Sequence, residues 1–188
     1  MECAAFHPLE TPRLRLRKLD MGDVDAYFHR IGSSKAVTRY MLWEPHKDIS
    51  ESTASIQKAL SRYETGKYYR WAIALKSDDS LIGILDLLKF DEAAVTCSCA
   101  YMLGEDFWNQ GYGTEAVAAA FDFAFRELQI DTILCDHFAE NPASGAVMQK
   151  AGMLPTGVIP RKYEKHGIFH DAVTYRITKE DWFQKARR

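Results

Sequence analysis

Apolar and polar positions follow two different periods along this chain, and the switches between them mark out its elements. Arg13-Leu14-Arg15-Leu16-Arg17 alternates strictly, which predicts an edge strand with one wetted face; the residues before it read as a loose lead-in. Asp20 is placed to cap a helix running to about Ile31, with Val24, Phe28 and Ile31 on one stripe. Tyr40-Met41-Leu42-Trp43-Glu44-Pro45-His46 is aromatic-rich but aperiodic and reads as a loop. Ile49, Ile56, Leu60 and Tyr63 return to helical spacing, with Gly66 ending that helix. The period then becomes two: Tyr69, Trp71, Ile73 and Leu75 alternate with Arg70, Ala72 and Ala74. After a turn at Ser77–Ser80, Leu81–Phe90 and Val95–Leu103 complete an antiparallel meander, joined by a turn at Asp91-Glu92.

The second half predicts a helix from about Thr114 to Leu128 that buries Val117, Phe121, Ala124 and Leu128, then a short strand over 132–138. Asn141 as cap and Pro142 in the first turn open another helix, which ends at Gly152. Strands near 156–162 and 172–177 flank a Lys165-His166-Gly167 turn, and Thr178-Lys179-Glu180-Asp181 resembles a capping box that starts a last helix. The order is β, α, α, β, β, β, α, β, α, β, β. It implies a mixed sheet, antiparallel in its first half, with helix 114–128 crossing over between two parallel strands.

Composition narrows the function. The chain has 188 residues, 47% hydrophobic and 27% charged, as expected of one folded domain, here placed at residues 10–183 with tails at 1–9 and 184–188. Lys+Arg is 24 and Asp+Glu is 26, so the basic excess of a nucleic-acid binder is missing. No apolar stretch approaches the roughly 18 residues of a membrane span, and the start lacks a basic, apolar leader; a cytoplasmic protein is expected. Cys3, Cys97, Cys99 and Cys135 form no Cys-x-x-Cys pair and read as free thiols, and the six histidines are scattered, so no metal site is expected.

The candidate chemistry begins at Gln110-Gly111-Tyr112-Gly113, two glycines directly ahead of a helix. Glycine keeps side chains away from the backbone N–H groups, and a helix start adds unsatisfied donors and a positive dipole end, which suits a pyrophosphate. No Lys-Ser/Thr pair follows the second glycine, and Ala116 stands where a dinucleotide fingerprint has its third. A plain turn explains Gly-x-Gly equally well.

The surrounding residues are more specific. Ala100-Tyr101-Met102-Leu103 followed by Trp108-Asn109-Gln110-Gly111-Tyr112-Gly113-Thr114-Glu115-Ala116 resembles the acetyl-CoA loop of the GNAT-type N-acetyltransferases. Asn141-Pro142-Ala143-Ser144, continuing to Lys150-Ala151-Gly152-Met153, is similar to an element of the ribosomal-protein N-terminal acetyltransferase (RimJ/RimL-like) branch, as are Thr11–Arg17 and His170–Tyr175. The resemblance implies an α+β (mixed α/β) fold: a mostly antiparallel, twisted sheet of about seven strands, splayed between the fourth and fifth and flanked by helices. The pantetheine arm of acetyl-CoA would lie in the splay against backbone groups of Met102 and Leu103. N–H groups of Gln110, Gly111, Tyr112, Gly113 and Thr114 would hold the pyrophosphate, and Asn141 would bond the pantetheine. Ser144 would sit near the thioester sulfur as proton donor to the leaving thiolate, or serve only as a first-turn helix residue. A strand N–H near Leu103 is the natural oxyanion donor.

Two departures stand out: Trp108 where many relatives have Arg or Gln, and Met148 where many members of the superfamily have a tyrosine acid. For the base the candidates are Asp86, His137 and Glu44; Tyr40 and Trp43 are candidate walls of the acceptor pocket, with Glu44 in the same loop. The implied activity is acetyl transfer from acetyl-CoA, as co-substrate, to a primary amine. A protein N-terminal α-amine comes first, with a polyamine or aminoglycoside as the alternative acceptor. A non-catalytic acyl-CoA-binding sensor is the second class. The chain would act as a monomer or homodimer, without nucleic acid, membrane or metal.

Overall fold

Eight strands form one sheet in the order β1-β2-β3-β4-β5-β6-β8-β7. The computed structural model describes residues 6–63 and 68–185. The strands are β1 Leu9–Glu10, β2 Leu14–Arg17, β3 Tyr69–Leu75, β4 Leu81–Asp91, β5 Thr96–Leu103, β6 Thr132–Phe138, β7 Leu154–Lys165 and β8 Ile168–Thr178. All neighbours are antiparallel except β5 and β6. The eighth strand is the segment read as a lead-in: Leu9 and Glu10 pair with Leu16 and Arg15. β2 is therefore not an edge. Leu14 and Leu16 are fully buried, and Arg17 makes two 2.8 Å bonds to the buried carboxylate of Asp23.

The expected splay lies between β5 and β6. They pair only through Thr96–Ser98 against Thr132–Leu134. Beyond that, β5 keeps its register with β4 up to Leu103 and β6 keeps its register with β8 up to Phe138. Each strand follows its own outer neighbour, and the twist carries their C-terminal ends apart.

Asp20 caps the first helical segment as expected, its carboxylate accepting the Gly22 N–H. That segment is broken into a 3₁₀ turn Met21–Asp23, α1 Val24–Tyr27 and a π turn Phe28–Gly32. The extra residue of the π turn moves the buried face to Tyr27 and Ile31, away from the expected Val24 and Phe28. Ser34 caps a short α2, Lys35–Thr38, which the sequence pattern does not show. In α3, Ile49–Arg62, the buried face is Ser52, Ile56 and Ala59, while Ile49 is exposed. Gly66, expected to end α3, and Cys3 lie outside the described residues. α4 is Tyr112–Arg126, α5 Pro142–Ala151 and α6 Lys179–Lys185.

The sheet divides two cores. On one face Val117, Phe121 and Phe125 of α4 pack toward Trp71, Leu85 and Ile133. On the other, Tyr27, Ile31 and Ile56 of the α1–α3 region meet Ala72 and Ile84. β3 and β4 are thus buried on both sides, which is why their sequences are almost continuously apolar. Among the described residues no helix is long and apolar enough to cross a membrane, and no three His, Cys, Asp or Glu side chains cluster as metal ligands would.

Candidate active site

Backbone builds the loop ahead of α4. Asn109 (φ 59°) and Gly111 (φ 82°) are left-handed, and α4 begins at Tyr112 with no side-chain cap. A Cβ on Gly111 would be strained in that conformation and would stand 3.3 Å from Arg13 Nη2. The Glu115 N–H reaches back to the Gly111 carbonyl at 3.0 Å, so the N–H groups of Tyr112, Gly113 and Thr114 are those the helix start leaves unsatisfied. Backbone N–H groups left open at a helix start form a cradle of the kind that suits an anion.

Arg13 locks the cradle in place. Its Nη1 donates to the Gln110 carbonyl at 3.0 Å, its guanidinium lies 4.3 Å from the Tyr112 ring centre, and its Nε donates to Glu115 at 2.7 Å. Glu115 also accepts from the Arg13 N–H (2.9 Å) and the Thr11 hydroxyl (2.6 Å). Burial alone would raise the Glu115 carboxyl, but the bonds from Thr11 and Arg13 outweigh it and hold the group below its ordinary range. The strand arginine that looked merely solvated is a brace.

The split is lined differently on its two walls. At its apex the Cys135 thiol donates to the Cys99 carbonyl at 3.2 Å. Gly104 N–H bonds the carbonyl of Ile82 in β4, and the Met102 carbonyl lies 2.5 Å from where a Cβ on Gly83 of the same strand would stand. Alternation along β5 then turns the backbone groups of Tyr101 and Leu103 into the split and those of Met102 away from it. Trp108 takes up the Leu103 carbonyl through its indole N–H at 2.8 Å. On the far wall Asn141 caps α5, its side chain accepting the Ser144 N–H at 3.4 Å. The Tyr101 phenol reaches α5, donating to the Ser144 carbonyl at 2.7 Å and lying 3.0 Å from Ser144 Oγ. Burial pushes that phenol up, so it stays protonated. Burial also pushes the Cys97 thiol up to about 12, and the Cys135 bond together with burial raises Cys99, so both remain neutral thiols.

On the opposite face of the sheet a cavity of about 270 Å³ opens, walled by Tyr27, Trp43, His46, Tyr68, Arg70 and Met102. Arg70 and Asp86 face each other across β3 and β4, and the guanidinium grips both carboxylate oxygens at 2.7 and 2.8 Å. Burial works against the Arg70 charge, but the bonds and charge of Asp86 prevail and keep it protonated. His46 is fixed by its N–H to the Gly32 carbonyl and by Nδ1 beside Ser52 Oγ, both at 2.8 Å. A Cβ on Gly32 would sit 2.7 Å from each of those two side-chain atoms, so glycine is what lets the imidazole in.

The residues singled out from the sequence therefore fall into separate places. Gln110–Thr114 form the cradle; Leu103, Asn141 and Ser144 border the split; Trp43 and the side chain of Met102 wall the cavity. Asp86 lies beneath the cavity, bonded to Arg70. Tyr40 sits over Phe138, with ring centres 6.0 Å apart. Glu44 is outside the cavity, exposed and bonded at 2.5 Å to His166, which lowers its pKa. Lys165 of the same β7–β8 turn donates to the Thr38 and Met41 carbonyls, strapping this loop down. His137 is buried beside α5, its Nδ1 2.7 Å from the Phe138 carbonyl and its Nε2 without a hydrogen-bond partner among the described residues. Sequence reasoning missed Tyr101, Arg13, Arg70 and His46. Period-two alternation does put Tyr101 on the Leu103 face, but the other three depend on long-range register.

Residues 13–154 match the acetyltransferase (GNAT) domain. Over 175 residues the chain is 29% identical to the uncharacterized N-acetyltransferase p20 of Bacillus licheniformis, covering 93% of this chain and 97% of that one. The same fold occurs in RimL, a ribosomal L7/L12 α-N-protein acetyltransferase solved with coenzyme A, at TM-score 0.82 and 20% identity over 92% of this chain and 98% of that one. It occurs again in the spermidine N-acetyltransferase of Vibrio cholerae solved with CoA and spermine, at TM-score 0.78 and 17% identity over 92% and 99%. A split sheet beside a glycine cradle, matched along most of its length by that domain, is the signature of an N-acetyltransferase, and the chain belongs to the GNAT family.

Proposed function

We propose that this protein moves the acetyl group of acetyl-CoA directly onto a primary amine that enters from the cavity face, a protein α-amine ahead of a polyamine. The observation that carries this is the double use of β5: Leu103 turns its backbone into the split while the adjacent Met102 walls the cavity. A thioester in the split and an amine in the cavity would meet across one strand. The uncapped helix start and the left-handed Gly111, where a Cβ would intrude, fit the diphosphate of the co-substrate. Acetyl-CoA supplies an activated acetyl thioester, and the chain does the rest. The N–H groups of Tyr112, Gly113 and Thr114 hold the diphosphate, and Asn141 bonds the arm. The Leu103 N–H steadies the developing oxyanion. The Ser144 hydroxyl hydrogen-bonds the departing sulfur, a role Met148 cannot fill, and the Tyr101 phenol, bonded to the Ser144 carbonyl and beside its hydroxyl, holds that residue in place. In the cavity wall His46 offers an imidazole to take up the amine proton. Asp86, with both oxygens committed to Arg70, anchors that cation rather than acting as base. Unpaired, buried Cys97, Cys99 and Cys135 fit a reducing cytoplasm.

The test is free-thiol release from acetyl-CoA against a panel of peptides, polyamines and aminoglycosides. Turnover with a peptide α-amine is expected. Tight acetyl-CoA binding without thiol release across the whole panel would replace the enzyme with an acyl-CoA sensor.

A further inference from the structure

We propose, resting on the transferase reading above, that Lys165 is a positioning residue for acceptor binding: delivered by the tip of the β7–β8 hairpin, its ammonium holds the loop over 39–46 so that Trp43 stands in the cavity wall. The loop has little to fix it from within. Its far end is pinned, since His46 bonds the Gly32 carbonyl and the Ser52 hydroxyl. Its near end makes one turn, the Met41 N–H reaching the Thr38 carbonyl at 2.9 Å. Between these ends, among the described residues, no backbone–backbone hydrogen bond reaches 42–45, and Leu42 is 63% exposed. The backbone that carries Trp43 is thus unsupported by its neighbours in sequence, although the Trp43 side chain walls the cavity.

The support comes from the other side of the split. β6 ends at Phe138, opposite Ala172, while β7 and β8 stay paired as far as Lys165 and Ile168, so the hairpin runs on beyond the sheet. A register shift between Ile159 and Tyr163, with Arg161 left-handed at φ 54°, bends it. Tyr163 stacked on Phe138, with ring centres 4.4 Å apart, and the Arg161 N–H on the Asp171 carboxylate at 2.8 Å fix that bend. At the tip, Lys165 Nζ donates to the carbonyls of Thr38, the last residue of α2, and of Met41, both at 2.8 Å. A helix end leaves such carbonyls open, and an ammonium with three N–H donors takes two at once. The adjacent His166 meets Glu44, but both side chains of that pair are more than 60% exposed, so the hold rests on Lys165. Val37 of α2 packs with Ala72 and Ile84 of the β3–β4 side. The Lys165 contacts therefore join the two halves of the sheet across the split, on the cavity face.

The experiment measures thiol-release kinetics with Ser-Ala-Ala-Phe-amide and with spermidine, alongside the tryptophan indole N–H signals of the free protein by NMR. Lys165→Met should raise the acceptor KM about tenfold, with kcat and the acetyl-CoA KM within about twofold, because His46 and the split are held by other contacts. Lys165→Arg, which keeps a charged donor, should recover most of that loss. Lys165→Gln should fall between the two, and carries the comparison if Lys165→Met does not fold. The Trp43 indole signal, assigned with Trp43→Phe, should move in Lys165→Met, while that of Trp71, bonded to the His7 carbonyl, stays. An acceptor KM that ignores Lys165→Met overturns the positioning role and leaves the transferase standing. So does a loss carried by kcat or by the acetyl-CoA KM, or one that Lys165→Arg does not relieve. A Trp43 signal that moves, in a protein whose wild type releases no thiol with any acceptor of the panel, keeps the hold on Trp43 and removes the transferase reading.

Discussion

The two faces of β5 are built by opposite means. The split face is made of backbone: an uncapped helix start, a left-handed glycine, and strand N–H groups with no neighbouring strand. Most of its parts lie close in the chain, from Cys99 to Glu115, with Cys135 and Asn141–Ser144 later and the Arg13 brace earlier. The cavity face is made of side chains from α1, α3, the Trp43 loop, β3 and β5. Under the proposed activity the diphosphate and pantetheine are the same whatever the acceptor, so a backbone site suits them. An acceptor is chosen by charge and shape, which side chains supply. The difference predicts that damage on one face should be read in co-substrate binding and on the other in stability or acceptor choice.

The largest expected effect is at the cavity floor. Asp86→Ala strands a guanidinium that is mostly buried, and losing one partner of such a pair costs about 3–5 kcal/mol. Urea denaturation should show that loss, and Arg70→Met with Asp86→Leu should recover most of it. Asp86→Ala with unchanged stability would mean the floor is held by something else. Next comes Gly111→Val. A branched side chain at φ 82° is strained and intrudes on the cradle, and acetyl-CoA affinity should fall about 100-fold by calorimetry while stability changes less. An unchanged affinity would take the loop out of the site.

A smaller effect belongs to the two hydroxyls. Ser144→Ala should lower kcat about tenfold with the acetyl-CoA KM within about twofold, and adding Tyr101→Phe should cost little more, because the two act as one chain. Additive losses would separate them. The smallest effect is the brace. Glu115 has a folded pKa below its ordinary 4.5, so its contribution is full above that value and is lost as pH falls through the lowered one. The gap in Tm between wild type and Glu115→Gln should therefore close as pH drops from neutral to below 4.5. A gap that persists there would assign the brace to packing.

The split half was readable because its signals are local. Gly111 at the helix start, the Asn141-Pro142 cap and the Gly152 stop each report on their own turn of chain and fall where expected, while Gly113, expected ahead of the helix, lies inside its first turn. Boundaries moved where packing overrode period: α4 starts two residues early at Tyr112, and the π turn at Phe28–Gly32 shifts the buried stripe. Leu9–Glu10 looked structureless because two residues show no period; pairing with Leu16 and Arg15 makes them a strand.

The sequence by itself determined the order of the longer elements, without β1 and α2, together with the crossover helix and the glycine turn ahead of it, since hydrophobic period, glycine and proline act over a few residues. Only the tertiary structure decided what Asp86, Glu44 and Arg13 do. A charged side chain takes its role from the partner it meets, and Arg70, His166 and Glu115 are set opposite them by strand register and by a hairpin folding back, through contacts that no local pattern encodes.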